Sequence, residues 1–337
     1  MSTATSISDI LNKFDCIRIK HPRLEEAHMW FDILRETKRK RPRSPKKFIS
    51  IFAPTHSGKS MSVRTYIDTK VVDDVIKAGL FDESLDCETI AREQKIVLHV
   101  TLTAKATTKS FVHDVLVALG DPYPHGTEAA MKRRAYDLMR KFGTELLIID
   151  EIQHLSGDRQ RKRSAGTSDS TAVTDTMKIM LIVGLVPIVF IGIPEARHHL
   201  FGDPQLAERC LKELDFAPLD LLKPKERKIF LEYCGRLGLK LRQHGIFPDE
   251  TDLLSGDVPA CLHIISRGKI GSVSGVVLAA CIIGFEQGAR CVQREHLVQA
   301  TDEWARGAGL IDHNPFVNPR SIKVIKNERP DDSPTPV

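Results

Sequence analysis

The segment Ala53-Pro54-Thr55-His56-Ser57-Gly58-Lys59-Ser60 constrains what this chain can fold into more than any other. It follows a short apolar run, Phe48 to Phe52, and precedes a stretch of helical character. Strand, glycine-containing loop and helix in that order form a phosphate cradle, in which backbone N–H groups and a helix N-terminus face the anion. Thr55, His56, Ser57, Gly58, Lys59, Ser60 and Met61 are therefore the expected nucleotide contacts. Lys59 would bring a positive charge to the β- and γ-phosphates of ATP, and Ser60 a hydroxyl to Mg²⁺. Ala53 stands where the first glycine of the pattern belongs. Alanine at positive φ costs about 1 kcal/mol or more, so the loop entry is either distorted or regular enough for alanine.

A second element answers the first. Leu146 to Ile149 is apolar at every position and delivers Asp150 and Glu151 to the carboxyl end of a strand. Ligands bind at that end of an open parallel sheet. Asp150 is then expected to hold Mg²⁺, and Glu151 to act as general base on the attacking water. An acidic pair after a strand can also simply cap a helix.

The rest of the chain alternates in the same way. Ile96 to Leu102 reads as a strand, followed by helices from Thr108 to Leu119 and from Glu128 to Phe142. A helix near Val173 to Val183 leads to a strand from Pro187 to Ile191, with a last strand near Leu214 to Phe216. Strands alternating with helices predict a parallel α/β sheet. From Leu221 onward only helical patterns remain, predicting a small all-helical second domain. Upstream, Leu24 to Thr37 reads as an amphipathic helix with Ala27, Trp30, Phe31 and Leu34 on its packing face. The basic stretch RKRPRSPKK reads as a linker. The expected domains are thus an N-terminal helical and basic segment over 1–46, an ATPase domain over 47–220, a helical domain over 221–310, and a polar tail over 311–337.

Composition excludes some classes. No apolar run approaches the roughly 18 residues needed to span a bilayer, and the N-terminus lacks the pattern of a secretory signal. Seven scattered cysteines argue for a reducing cytoplasm rather than a disulfide framework. His154, His198 and His199 have no carboxylate or cysteine at metal-ligand spacing. The net charge of +5 is modest, yet basic residues cluster from Lys38 to Lys47 and from Arg159 to Arg163, where they either neutralise phosphates or face solvent.

Further motifs carry a resemblance. Asp150-Glu151-Ile152-Gln153-His154-Leu155, Ile193-Pro194-Glu195-Ala196-Arg197 and Asp203-Pro204-Gln205-Leu206-Ala207-Glu208-Arg209 together resemble the TniB/TnsC group of AAA+ ATPases, which regulate DNA transposition. His21-Pro22-Arg23 and Ser266-Arg267-Gly268-Lys269-Ile270-Gly271 extend the likeness over roughly residues 15 to 305. The resemblance implies an AAA+ ATPase domain followed by a helical lid, ATP and Mg²⁺ as ligands, and a homo-oligomeric ring or helical filament on duplex DNA. It also implies a transposase and a TniQ-like targeting protein as partners.

By position, Arg209 is similar to the arginine finger that reaches a neighbour's γ-phosphate. The stretch Gly192 to Glu195, where a polar sensor is expected, has no Asn, Thr or Ser, and Gln153 is the candidate to replace it. Ser272 occupies the second sensor region, where an arginine is common in the family, so slow hydrolysis is plausible. DNA contact is expected from Lys105 and Lys109, and from Arg159, Arg161, Lys162 and Arg163, in a sequence-independent manner. Two alternatives stay open: another AAA+ DNA machine of helicase or clamp-loader type, and an ATP-gated scaffold with little hydrolysis.

Overall fold

The computed structural model describes residues 3–155 and 172–318. Five short strands form its centre: β1 Phe48–Phe52, β2 Val97–Thr101, β3 Leu146–Asp150, β4 Ile188–Gly192 and β5 Cys210–Leu214. All paired strands are parallel, in the order β2-β3-β4-β1-β5. The carboxyl ends of β1 and β3 carry the glycine-containing loop and Asp150 respectively.

The three central strands are apolar because helices cover both faces of the sheet. Along β3, Leu147 and Ile149 join one core with Phe111, Val112, Met131 and Met177. Leu146 and Ile148 join the other, with Phe31, Leu34, Val63 and Tyr66. Side chains that alternate between two buried faces give the continuous run seen in the sequence. At the edge, β5 lies earlier than expected, at Cys210–Leu214 rather than 214–216. Leu211, Lys212 and Glu213 are exposed there, so no apolar run marks it; backbone pairing to β1 defines it instead.

The helix expected at 24–37 spans Pro22–Lys40. His21 caps it by accepting the Leu24 N–H at 3.3 Å through Nδ1, and Pro22 takes the first position, where a missing N–H does no harm. Phe31 is fully buried edge-on to Tyr66, ring centroids 5.1 Å apart, so this face packs the sheet. Arg35 is buried with it, at 2% exposure. Its guanidinium donates to Glu145 at 2.8 Å and to Asp74 and the Tyr66 hydroxyl at 2.9 Å.

The basic stretch after this helix differs from the expected linker. Its first residues are helical, Lys38 donates to the Gly184 carbonyl at 3.1 Å, and Lys46 is buried with its Nζ on the Arg41 carbonyl. Those two ammonium groups cap carbonyls rather than face solvent.

The chain divides into two compact units: Lys20–Pro218, which holds the sheet, and a helical unit built from the residues up to Ile19 and those from Leu219 onward. The segment expected as one N-terminal piece, 1–46, is therefore split between them. Helix Ile7–Asp15, capped by Ser6, contributes Ile10 to the helical core. Helices Pro224–Gln243, Val258–Ser266, Ile270–Glu286 and Arg294–Ala300 supply the remainder. Among the described residues, no single helix is long and apolar enough to cross a membrane.

Candidate functional site

The loop after β1 is entered without strain. Ala53 is buried, its N–H continues the ladder to the Gly192 carbonyl at 3.1 Å, and its backbone avoids positive φ. The glycine replaced here is not needed for conformation. Positive φ falls instead on His56, at 63°, and Gly58, at 90°. Thr55 and His56 are exposed, while Ser57 is buried and its Oγ finds no hydrogen-bond partner among the described residues. Such an orphan hydroxyl beside a loop of this kind is a group suited to a ligand.

Gly58 caps helix Lys59–Thr65, which runs on through Tyr66–Val71 and Val72–Lys77. The first intrahelical bond is from the Ser62 N–H to the Gly58 carbonyl at 2.9 Å. The N–H groups of Lys59, Ser60 and Met61 precede it, and they are the donors a helix start offers to an anion. Lys59 is 7% exposed, and its ammonium donates to the Ala53 carbonyl at 2.5 Å and the Pro54 carbonyl at 2.8 Å. Burial pushes its pKa down, partly opposed by the carboxylates of Asp150 and Glu151.

Asp150 ends β3 at 2% exposure. Its Oδ2 accepts the Ser60 hydroxyl at 2.7 Å and its Oδ1 accepts the Glu151 N–H at 2.8 Å. His99, on β2, lies with Nε2 3.6 Å from Asp150 Oδ2. Burial works to raise the Asp150 carboxyl, but the neighbouring His99 and the Ser60 hydroxyl outweigh it and hold it below the usual carboxylate range. Hard oxygens in this position, one hydroxyl and one ionised carboxylate, match what Mg²⁺ takes.

Glu151 follows at φ 60°, a conformation rare for a residue with a side chain. Gln153 donates its amide N–H to the Glu151 carboxylate and accepts the Ile193 N–H at 3.3 Å. A Cβ on Gly192 would stand 2.7 Å from Ile152 Cγ1 and 3.2 Å from Gln153 Oε1. The end of β4 thus has no room for a polar side chain at Gly192, and the Gln153 amide occupies the neighbouring space.

The other expected residues lie elsewhere. Arg209 is not on a helix: helix Pro204–Ala207 has ended, and Arg209 sits in the turn just before β5. Its carbonyl accepts the Phe48 N–H at 3.0 Å, at the start of β1, whereas the phosphate loop leaves the far end of that strand. Five residues of strand separate the two ends, about 17 Å. The Arg209 Nε is buried and has no hydrogen-bond partner among the described residues.

Lys105 and Lys109 are exposed, in the turn after β2 and at the start of helix Thr108–Ala118. The Ala106 N–H donates to the His154 carbonyl at 2.9 Å, tying that turn to the segment after Glu151. Arg159, Arg161, Lys162 and Arg163 lie outside the described residues. Ser272 is buried in helix Ile270–Glu286 and its Oγ has no partner among the described residues. Sequence reasoning missed His99, although an imidazole inside an otherwise apolar strand, Val-Leu-His-Val, was a visible signal.

Residues 40–200 match the family model described as an AAA domain. No curated protein matches the chain. Among solved structures it is similar to the ORC2 protein of Aeropyrum pernix in its ADPNP-ADP complexes, with 13% identity, a TM-score of 0.57, and coverage of 87% of this chain and 71% of that one. It is also similar to Cdc6p from Pyrobaculum aerophilum, with 11% identity, a TM-score of 0.56, and coverage of 87% and 70%. At such identities the likeness speaks to fold. Residues 40–200 are thus similar to an AAA domain, and the chain has the P-loop fold of these ORC2 and Cdc6p structures, a five-stranded parallel sheet followed by a helical portion.

Proposed function

We propose that this protein is an ATPase that assembles on duplex DNA and regulates transposition by directing a transposase to its target. The observation that carries the enzymatic part is the 2.7 Å bond between Ser60 Oγ and Asp150 Oδ2, which joins the phosphate loop to the acidic strand end. Ser60 and Asp150 would hold Mg²⁺, which when bound supplies charge neutralisation between the β- and γ-phosphates. The first-turn N–H groups of Lys59, Ser60 and Met61 bind phosphate oxygens, with Thr55, His56, Ser57 and Gly58 closing the loop around them. Lys59 exchanges its two loop carbonyls for phosphate, a stronger, charge-assisted contact. Glu151 takes the proton of the attacking water, and Gln153 sets where its carboxylate points.

Arg209 serves a neighbouring subunit in this reading. Lying at the opposite end of β1 from its own phosphate loop, it can meet a γ-phosphate only across an interface. The homo-oligomer, ring or helical filament, follows from that requirement. DNA contact through Lys105 and Lys109, with Arg159, Arg161, Lys162 and Arg163, would be to backbone phosphates and independent of sequence. The bond from Ala106 to His154 gives DNA at this turn a short path to Glu151. The transposase and a TniQ-like partner rest on the motif resemblance alone.

One further reading is favoured by a specific observation. Gln153 already engages the Glu151 carboxylate, and Ser272 is buried, so an ATP-gated scaffold with little hydrolysis also fits. Filter binding of duplex DNA with ATP, ADP or no nucleotide tests the main proposal. Tight ATP-dependent binding is expected, with log K falling by about 0.9 per phosphate contact for each unit of log salt. Binding that ignores nucleotide would sink it.

A further inference from the structure

β2 is apolar where it meets the sheet: Val97, Leu98 and Val100 are all buried. His99 interrupts the run. The parallel register sets Thr101 opposite Asp150 and His99 opposite Ile148, so residues 99 and 101 share the face that borders the acidic strand end. There His99 Nε2 stands 3.6 Å from Asp150 Oδ2. That distance is longer than a hydrogen bond, yet the nitrogen is buried and has no other partner among the described residues. The ring also borders a cavity of about 540 Å³ that it shares with Ser60, Met61 and Arg64.

Asp150 Oδ1 is held by the Glu151 N–H, and Oδ2 by the Ser60 hydroxyl. A metal on Ser60 takes a lone pair of its hydroxyl and leaves the proton with Oδ2, and Oδ2 has a second lone pair for a further donor. Of the groups in contact with it, His99 is the one that can close the gap, by a shift of a few tenths of an ångström.

We infer that His99 is a positioning residue for magnesium: with a proton on Nε2, it closes on Asp150 Oδ2 as a second donor beside Ser60 and fixes that carboxylate when Mg²⁺ and nucleotide bind. This rests on the nucleotide site proposed above. Donors of this outer kind usually change metal affinity by about 10–100-fold when removed. In this role His99 acts through Asp150, so affinity for nucleotide without metal stays as it was.

The test is binding of a fluorescent ATP analogue, titrated with MgCl₂ and repeated in EDTA, for wild type, His99→Leu and His99→Gln. His99→Leu should need about 10-fold or more Mg²⁺ for half-maximal tight binding, with unchanged affinity in EDTA. His99→Gln, which restores an N–H donor of similar reach, should recover most of the loss. His99→Phe replaces His99→Leu if the latter does not fold, and melting curves check each variant. If magnesium strengthens binding to wild type and His99→Leu alike, the inference is overturned while the nucleotide site stands. If His99→Gln is as poor as His99→Leu, the donor role is overturned. A wild type indifferent to magnesium overturns the site and the inference together.

Discussion

Arg209 and Phe48 are joined by a 3.0 Å backbone hydrogen bond at the start of β1, one strand length away from Lys59. An arginine held there cannot neutralise charge on its own subunit's γ-phosphate. If it is catalytic, it is so in trans. A finger of this kind is worth about 10³ or more in rate while ground-state binding is largely spared.

Arg209→Ala should therefore bind ATP but hydrolyse it about 10³-fold more slowly, whereas Lys59→Ala should fail to bind. Mixing the two creates some interfaces with an intact Lys59 facing an intact Arg209, and phosphate release should partly return. A co-assembled mixture as inactive as its parts would refute a shared site.

Arg35 predicts a loss of stability rather than of chemistry. Its guanidinium is 2% exposed and binds Glu145, Asp74 and the Tyr66 hydroxyl, tying helix Pro22–Lys40 to the sheet unit. Arg35→Leu removes their shared donor, leaving Glu145 with Arg39 at 3.3 Å and Asp74 with Lys70 at 4.0 Å, and breaking such a buried pair costs about 3 kcal/mol. Urea denaturation should show a lower midpoint at nearly unchanged m. An unaltered midpoint would mean that solvent replaces the guanidinium without cost.

His199 predicts a pH dependence. Burial, with the adjacent His198, pushes its pKa down from 6.5 to about 4. Between those values the unfolded chain binds a proton that the folded chain does not, so stability rises with pH across the window. The contribution is complete above pH 6.5 and is lost as pH falls towards about 4. Melting temperatures of His199→Phe, followed over the same window, should fall less steeply than those of wild type. Parallel curves would show that His199 titrates normally.

How much was legible in the sequence depended on where each residue's constraint lies. β1, β3 and β4 announce themselves because both of their faces are buried, which makes them apolar at nearly every position. β5 is an edge strand whose Leu211, Lys212 and Glu213 face outward, so its position was displaced by several residues. The convergence of Ser60 on Asp150 follows from local motifs on adjacent ends of one sheet, and motif spacing was enough to anticipate it. Arg35 and His99 matter through partners 110 and 51 positions away, and no local pattern encodes such pairs. Arg209 follows helix Pro204–Ala207, which is only four residues long, and its place in the turn before β5 is set by backbone pairing that the motif does not show.

Steady-state phosphate release, measured with and without duplex DNA for wild type and Glu151→Gln, tests the central claim most directly. Wild type should hydrolyse ATP, and faster with DNA, because the Lys105 turn is bonded through Ala106 to the segment that carries Glu151 and Gln153. Glu151→Gln should bind ATP as tightly and release phosphate at least about 10²-fold more slowly. Equal release by the two proteins, in both conditions, would contradict the account.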